Sequence, residues 1–234
     1  MNTFVLPTEL LHSLVSTSHH KMERYITYKN KEALLDAVIA KDDSVLDVGF
    51  WGQGTSVDDP NWPHRFLLAR ADEVYGIDME FDEERLPQDA SHYKKGNAEH
   101  FNFEKKFDVI VAGDLIEHLS NPGNFLASCG ANLAPDGKLV LTTPNCFNLF
   151  NLTEKLSKYE PTVNSDHTMY FNYKTLSKLL LKNGYTVESI AYVYTLDPHH
   201  KESWKKKFLN LLYALLAGLT DKFMETLVVV ATKK

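Results

Sequence analysis

Two acids and a set of glycines carry the first chemical signal. In Val45-Leu46-Asp47-Val48-Gly49-Phe50-Trp51-Gly52-Gln53-Gly54 a short apolar run ends in an acid, and Gly49, Gly52 and Gly54 follow within six residues. Such a stretch reads as a buried parallel strand entering a tight turn, where a ligand meets bare backbone. A second apolar run, Glu73-Val74-Tyr75-Gly76-Ile77, closes on Asp78. In nucleoside-binding α/β folds an acid about 20 residues past a glycine turn accepts hydrogen bonds from the ribose hydroxyls. Here Gly54 to Asp78 is 24 residues (78 − 54). The segment Asp58-Asp59-Pro60-Asn61-Trp62-Pro63 accounts for the surplus, because each proline restricts its predecessor and cannot donate a hydrogen bond.

The elements that must position these residues follow from periodicity. Ile26, Ala33, Leu34, Ala37 and Val38 have helical spacing, and that helix ends at Lys41-Asp42-Asp43. Residues 1 to about 20 are polar and read as an extended arm or short helix. Pro63 suits the first turn of a helix that faces Phe66, Leu67 and Ala69 to Ala71 inward. Strands are expected at 45–48, 73–78, 93–95, 107–112, 139–145, 186–194 and 226–232. A helix runs from Asn121-Pro122 to Leu133, and 134–138 forms a turn. Another helix spans Tyr173 to Lys182 and stops at Asn183-Gly184. Strands alternating with helices give an α/β domain around a mostly parallel sheet. The stretch from Trp204 to Leu219 is helical in length and apolar on more than one face. It fits packing on the sheet edge or in a dimer interface, a lid over a hydrophobic substrate, or a lip on a membrane surface.

Composition narrows the function classes. The 234 residues are 44% hydrophobic and 24% charged, enough for one domain with a sizeable core. A net charge of −6 argues against a nucleic-acid groove, since phosphate binding needs a basic face. Met1 to Leu14 lacks a basic region and a continuous apolar core, so no signal peptide is expected, and no apolar run is long enough to span a membrane. Cys129 and Cys146 lie in apolar surroundings without a C-x-x-C pair and read as reduced thiols of a cytoplasmic protein.

The Val45–Gly54 stretch resembles motif I of the class I S-adenosylmethionine-dependent methyltransferases. The block from Phe107-Asp108-Val109-Ile110 through Glu117-His118-Leu119, Asn121-Pro122 and Pro135-Asp136-Gly137-Lys138-Leu139-Val140-Leu141-Thr142-Thr143-Pro144-Asn145 is similar to the branch holding ubiquinone-biosynthesis and glycan or small-metabolite O-methyltransferases. The resemblance covers 44–145 in the expected order, and a weaker similarity extends through His167, Phe171 and Gly184-Tyr185. It implies a Rossmann-like sheet of seven strands, mostly parallel with an antiparallel last strand, and helices on both faces. It also implies a single domain over 1–234. Residues 1–43 would form an N-terminal helical lid, 44–145 a cofactor-binding half, and 146–234 an acceptor-side half with a helical insertion near 199–220. Tyr25 and Tyr28 of the lid would touch the ligand or pack the helix on the sheet.

By the same resemblance the cofactor is S-adenosyl-L-methionine. Gly49, Gly52 and Gly54 would admit its methionine part, and Asp47 would orient the turn or reach the amino group through water. Asp78, Met79, Asn97, Ala98, Asp114 and Leu115 would hold ribose and adenine. His118 or His167 would serve as catalytic base. In some relatives an E-x-x-E-H set with a distant His binds a divalent metal, and Asp114-x-x-Glu117-His118 with His167 resembles it with Asp in first place. The same "EHL" occurs in the branch where no metal is expected, and no metal ligands are assigned. The chain departs from the family's D-x-G-x-G-x-G in having Phe50-Trp51 between its first two glycines. These two residues are expected to bulge the loop and wall off part of the methionine pocket.

The reading that follows is methyl transfer to oxygen on a small-molecule, sugar or lipid-linked acceptor by a monomer or homodimer, with membrane-surface contact open and no nucleic-acid partner. Its rivals are a protein of the same fold that binds the cofactor without turnover, and a nicotinamide dehydrogenase, which would show G-x-G-x-x-G in place of the block ending at Asn145.

Overall fold

The computed structural model describes residues 24–25, 31–52, 57–59, 62–193 and 222–234. Tyr28, Gly54, the arm over 1–20 and the helix expected at 204–219 lie outside the described residues, as does the side chain of Tyr25. In chain order the elements are β1 (Arg24–Tyr25), α1 (Lys31–Val38), β2 (Ser44–Val48), α2 (Pro63–Arg70), β3 (Glu73–Asp78), β4 (Tyr93–Lys95) and β5 (Phe107–Gly113). Then come α3 (Pro122–Asn132), β6 (Leu133–Pro144), α4 (Leu149–Ser157), α5 (Tyr173–Lys182), β7 (Tyr185–Val193) and β8 (Thr226–Lys233). The seven expected strands form one sheet, and the two-residue β1 extends its edge in the order β1-β7-β8-β6-β5-β2-β3-β4. Every pairing is parallel except those of β8, which runs antiparallel to both β6 and β7.

Period-two burial builds two cores. Leu46, Val48, Ile110, Ala112, Leu139, Leu141, Leu227 and Val229 point to the face covered by Phe125, Leu126 and Cys129 of α3 and by Leu176 and Leu180 of α5. Val45, Val109, Val111, Val140, Val228 and Val230 point to the opposite face, beneath Leu34 of α1 and Leu67 of α2. Both faces being covered, the central strands read as nearly continuous apolar runs. Asparagines start three helices. Asn121, Asn148 and Asn172 each accept a hydrogen bond from the backbone N–H three residues on, and Asn172 with Thr175 completes a capping box.

Several expectations need correction. The expected turn at 134–138 is a bulge inside β6: Leu133 pairs with Phe107, and Lys138 with Val109. Gly137 permits it, because a Cβ there would lie 3.0 Å from the carbonyl oxygens of Phe107 and Ala134. In α2, Ala69 faces solvent, and the residues turned inward are His64 and Leu67. Of the helix expected across Ile26 to Lys41, the described residues show Lys31–Val38 as helix, and Arg24–Tyr25, just before it, as strand. Helix α4 has no counterpart in the sequence reading.

A third, smaller cluster sits under the end of β2. Phe50, Trp62, Phe81 and Tyr93 are buried together, with Trp51 packed against them. Phe50 lies over Gly76, where a Cβ would come within 2.7 Å of its ring and 2.8 Å of Tyr93. Gly76→Ala therefore overpacks this cluster and is expected to cost about 1–3 kcal/mol. Equilibrium urea unfolding measures it, and an unchanged midpoint would contradict the packing described.

Candidate functional site

The strand order reverses between β2 and β5: β3 and β4 extend the sheet on one side of β2, and β5 begins the other. In open α/β sheets ligands bind in the crevice beyond the carboxyl ends of the strands at such a point. Here the crevice is a cleft of about 1820 Å³. Single-ligand pockets are roughly 300–1,000 Å³, so the space admits two reactants. Asp47, Gly49, Gly52, Asp78, Met79, Asn97, Ala98, Asp114, Leu115, His118 and His167 all line it. The structure thus brings together every described residue that the sequence assigned to the site.

The turn after β2 is held by hydrogen bonds from β3. Gly49 donates its N–H to the Ile77 carbonyl at 2.8 Å, and Trp51 donates its N–H to Asp78 Oδ2 at 3.0 Å. Gly49 and Gly52 have φ of +83° and +67°, a region that favours glycine. A Cβ on Gly49 would also press on Leu115 Cδ1 at 3.3 Å. The chain needs bare backbone here, as a closely approaching cofactor does. Phe50 turns into the third cluster at 2% exposure and its carbonyl accepts from Trp62 Nε1 at 2.8 Å; both Phe50 and Trp51 border the cleft, Trp51 with the more exposed side chain. Met79 is 70% exposed, an apolar side chain left open next to the acid of β3. Asn97 Oδ1 accepts from the Glu99 N–H at 2.8 Å, which fixes the loop that carries Ala98.

Asp47 has a partner that the sequence reading missed. Its Oδ2 lies 2.9 Å from His64 Nδ1, and His64 Nε2 lies 3.1 Å from the Tyr93 hydroxyl. All three are buried. Burial, and then the charge of Asp47, push the Tyr93 hydroxyl well above its usual pKa. Helical spacing could have found His64, since it stands three residues before Leu67 and seven before Ala71 on the inner face of α2.

Across the cleft Asp114 adopts φ +47° and is tied on three sides. Its N–H donates to the Thr142 carbonyl and hydroxyl, Thr142 Oγ1 donates to Asp114 Oδ1 at 3.0 Å, and Lys31 Nζ of α1 donates to Oδ2 at 2.5 Å. Desolvation opposes ionisation, but the Lys31 charge and these hydrogen bonds outweigh it, and the pKa falls below the usual carboxylate value. Lys31 was not among the expected site residues, and nothing local distinguishes it from the other lysines.

Glu117 is 1% exposed and lines the cleft next to His118. Thr143 Oγ1 donates to its Oε2 at 2.9 Å, while Oε1 has no hydrogen-bond partner. His118 Nδ1 is likewise buried without one. The loop before α5 is stitched to the same turn: Thr168 donates its N–H to the Glu117 carbonyl and its hydroxyl to the carbonyls of Glu117 and Leu119. That places His167 edge-on to His118, ring centroids 4.5 Å apart, with its Nε2 4.0 Å from Glu117 Oε1. Burial, and then the neighbouring His118, lower the His167 pKa and keep its imidazole neutral, the form a base requires. Ligand atoms of Glu117, His118 and His167 lie within 4.8 Å of one another, so the three could also share a cation.

Burial, followed by the charge of Asp114, raises the Glu117 pKa from 4.5 to about 7. The folded state therefore holds this proton more tightly than the unfolded chain. The stabilisation is complete below pH 4.5 and disappears as pH rises through 7. Relative to the native protein, Glu117→Gln should gain on the order of 3 kcal/mol between pH 5 and pH 8. Denaturant midpoints of both proteins at the two pH values measure this, and equal shifts would contradict it.

The comparisons with known proteins agree with this geometry. A family model described as a methyltransferase domain matches residues 19–190. Among curated relatives, the ubiquinone biosynthesis O-methyltransferase of Bradyrhizobium diazoefficiens is 28% identical over 121 residues, covering 47% of this chain and 48% of that protein. The malonyl-(acyl-carrier protein) O-methyltransferase of Haemophilus influenzae is 34% identical over 95 residues, covering 41% of this chain and 32% of that protein. The chain spans about half the length, or less, of these relatives. In fold it is similar to the 1,6-didemethyltoxoflavin-N1-methyltransferase of Burkholderia thailandensis, solved with S-adenosylhomocysteine, at a TM-score of 0.53 and 19% identity over 87% of this chain and 76% of that one. With the family model matched over more than two thirds of its length, this chain belongs to the family of S-adenosylmethionine-dependent methyltransferase domains.

Proposed function

We propose that the chain transfers the methyl group of S-adenosylmethionine to a hydroxyl oxygen of a small-molecule, sugar or lipid-linked acceptor. One observation carries the reading. A single cleft presents a glycine turn and ribose-type acid on one wall and a pair of edge-on imidazoles on the other. The donor supplies an electrophilic methyl carbon on sulfur, open to in-line displacement. The glycine turn and Asp78 hold the donor, while Asn97, Ala98, Met79 and Leu115 enclose its adenosine. His118 or His167 takes the proton that the acceptor hydroxyl loses as the carbon–oxygen bond forms and the carbon–sulfur bond breaks. Relatives named as O-methyltransferases favour oxygen as the acceptor atom. The free cysteines Cys129 and Cys146 fit a cytoplasmic setting, and among the described residues no helix is long and apolar enough to cross a membrane.

Binding without turnover was the rival, resting on obstruction by Phe50-Trp51. Burial of the Phe50 side chain in the third cluster, at 2% exposure, argues against that obstruction. A second reading of the base has its own support, in the two buried atoms without partners, Glu117 Oε1 and His118 Nδ1. A divalent cation held by Glu117, His118 and His167 would supply Lewis-acid activation of the acceptor hydroxyl.

Asp78→Ala should weaken S-adenosylhomocysteine binding by about 1.5–3 kcal/mol, the worth of hydrogen bonds to a charged group, and unchanged affinity in calorimetry would remove the ribose assignment. Replacing either histidine that serves as base should lower turnover by about 10²–10⁴-fold with donor affinity nearly intact. Release of S-adenosylhomocysteine across a panel of hydroxyl acceptors reads this out, and full activity in both His118→Ala and His167→Ala would exclude an imidazole base. Dialysis against a chelator separates the two readings of the base: loss of turnover restored by Mg²⁺, Mn²⁺ or Zn²⁺ favours the cation, and undiminished turnover favours the free imidazole.

A further inference from the structure

We infer that His64 is a positioning residue for the amino-acid end of the methyl donor, acting through Asp47. The inference rests on the donor-binding reading given above and adds a residue to it. Sheet register brings the parts together. Asp47 pairs with Gly76, and Gly76 pairs with Tyr93, so the three stand in one row across β2, β3 and β4. Phe50 packs over Gly76, and the His64 imidazole, delivered from the second residue of α2, joins the carboxylate to the phenol with contacts of 2.9 and 3.1 Å.

The chemistry of the chain is constrained at each link. An ionised carboxylate only accepts, so Nδ1 carries the hydrogen given to Asp47 Oδ2. Nε2 then meets the Tyr93 hydroxyl, and both ring nitrogens of a residue with 0% exposure are satisfied. Asp47 lines the cleft two residues before Gly49, where the bare-backbone turn begins. With Oδ2 held from behind, and no hydrogen bond to Oδ1 among the described residues, Oδ1 is the oxygen offered to a ligand. The cationic group of the donor other than its sulfonium is the α-ammonium of its amino-acid part, and a carboxylate of fixed orientation is its natural acceptor. His64 thus does more than fill the aromatic cluster, where its ring centroid lies 5.0 Å from Phe50 and from Trp62.

Paired substitutions separate positioning from packing. In His64→Asn the amide nitrogen stands near the place of Nδ1 and can still donate to Asp47. In His64→Gln it stands near the place of Nε2 and reaches Tyr93 instead. Calorimetry on the full chain uses two probes: S-adenosylhomocysteine, and 5′-methylthioadenosine, which keeps the adenosine and thioether but lacks the amino acid. His64→Gln should weaken S-adenosylhomocysteine about tenfold or more and leave 5′-methylthioadenosine within about twofold, while His64→Asn stays within about threefold for both. Equal losses for the two probes in His64→Gln, or identical behaviour of the Gln and Asn variants, would overturn the inference. If neither variant folds, Tyr93→Phe decides: selective weakening of S-adenosylhomocysteine supports the inference and unchanged binding of both probes overturns it. Native protein that binds neither probe would overturn the donor-binding reading itself and this inference with it, an outcome distinct from intact native binding without a His64 effect.

Discussion

The cleft exists because the chain lays β3 and β4 on one side of β2 and must then return to lay β5 on the other. The connections leaving β2 and β5 diverge at that point, and the carboxyl ends of the two strands open onto a gap that no described loop fills. Gly49 and Asp114 stand at its two lips, one on each strand end. Everything assigned to the site is placed relative to this reversal. Both residues have positive φ, so both lips turn sharply away from the strands and present backbone and short side chains to the gap.

The polar groups near the gap are held in two different ways. On the donor side the buried acid Asp47 is satisfied by a histidine that is itself satisfied by a tyrosine. Such a closed chain rigidifies what it touches, because every member has its partner. On the acceptor side Glu117 keeps one oxygen and His118 one nitrogen without a partner, at a site where Asp114 already places negative charge nearby. Incompletely satisfied buried groups cost stability and are retained where something else is to bind or react. The contrast fits the proposed division of labour, with donor binding on the first wall and proton transfer on the second.

The odd turn spacing shows how one glycine rescues another feature. One residue more than usual between the first two glycines puts both Phe50 and Trp51 there, and they would crowd a glycine turn if both faced the ligand. Phe50 instead leaves by the gap above Gly76 and joins Trp62, Phe81 and Tyr93. Phe50 in turn packs beside the His64 ring that joins Asp47 to Tyr93, with centroids 5.0 Å apart. The insertion, the small residue in β3 and the inward histidine of α2 form one arrangement.

Much of this was legible in the sequence, because the signals were local. Alternating apolar residues, the acid-then-glycine turn of 47–52 and the acid at 78 depend on neighbours within a few residues, and each lies where the sequence put it. The bulge at 134–138 was misread as a plain turn because pairing on both sides of a Pro-Asp-Gly stretch is not a local property. Tertiary structure alone decided the partners. Lys31 meets Asp114 across 83 residues, the Thr168 hydroxyl meets the Glu117 carbonyl across 51, and His64 meets Asp47 across 17. Sequence fixes which side chains exist and which face of an element they occupy. Only closure of the sheet in its particular strand order determines which faces meet, and those meetings set the charges, the buried hydrogen bonds and the proton affinities from which the chemistry follows.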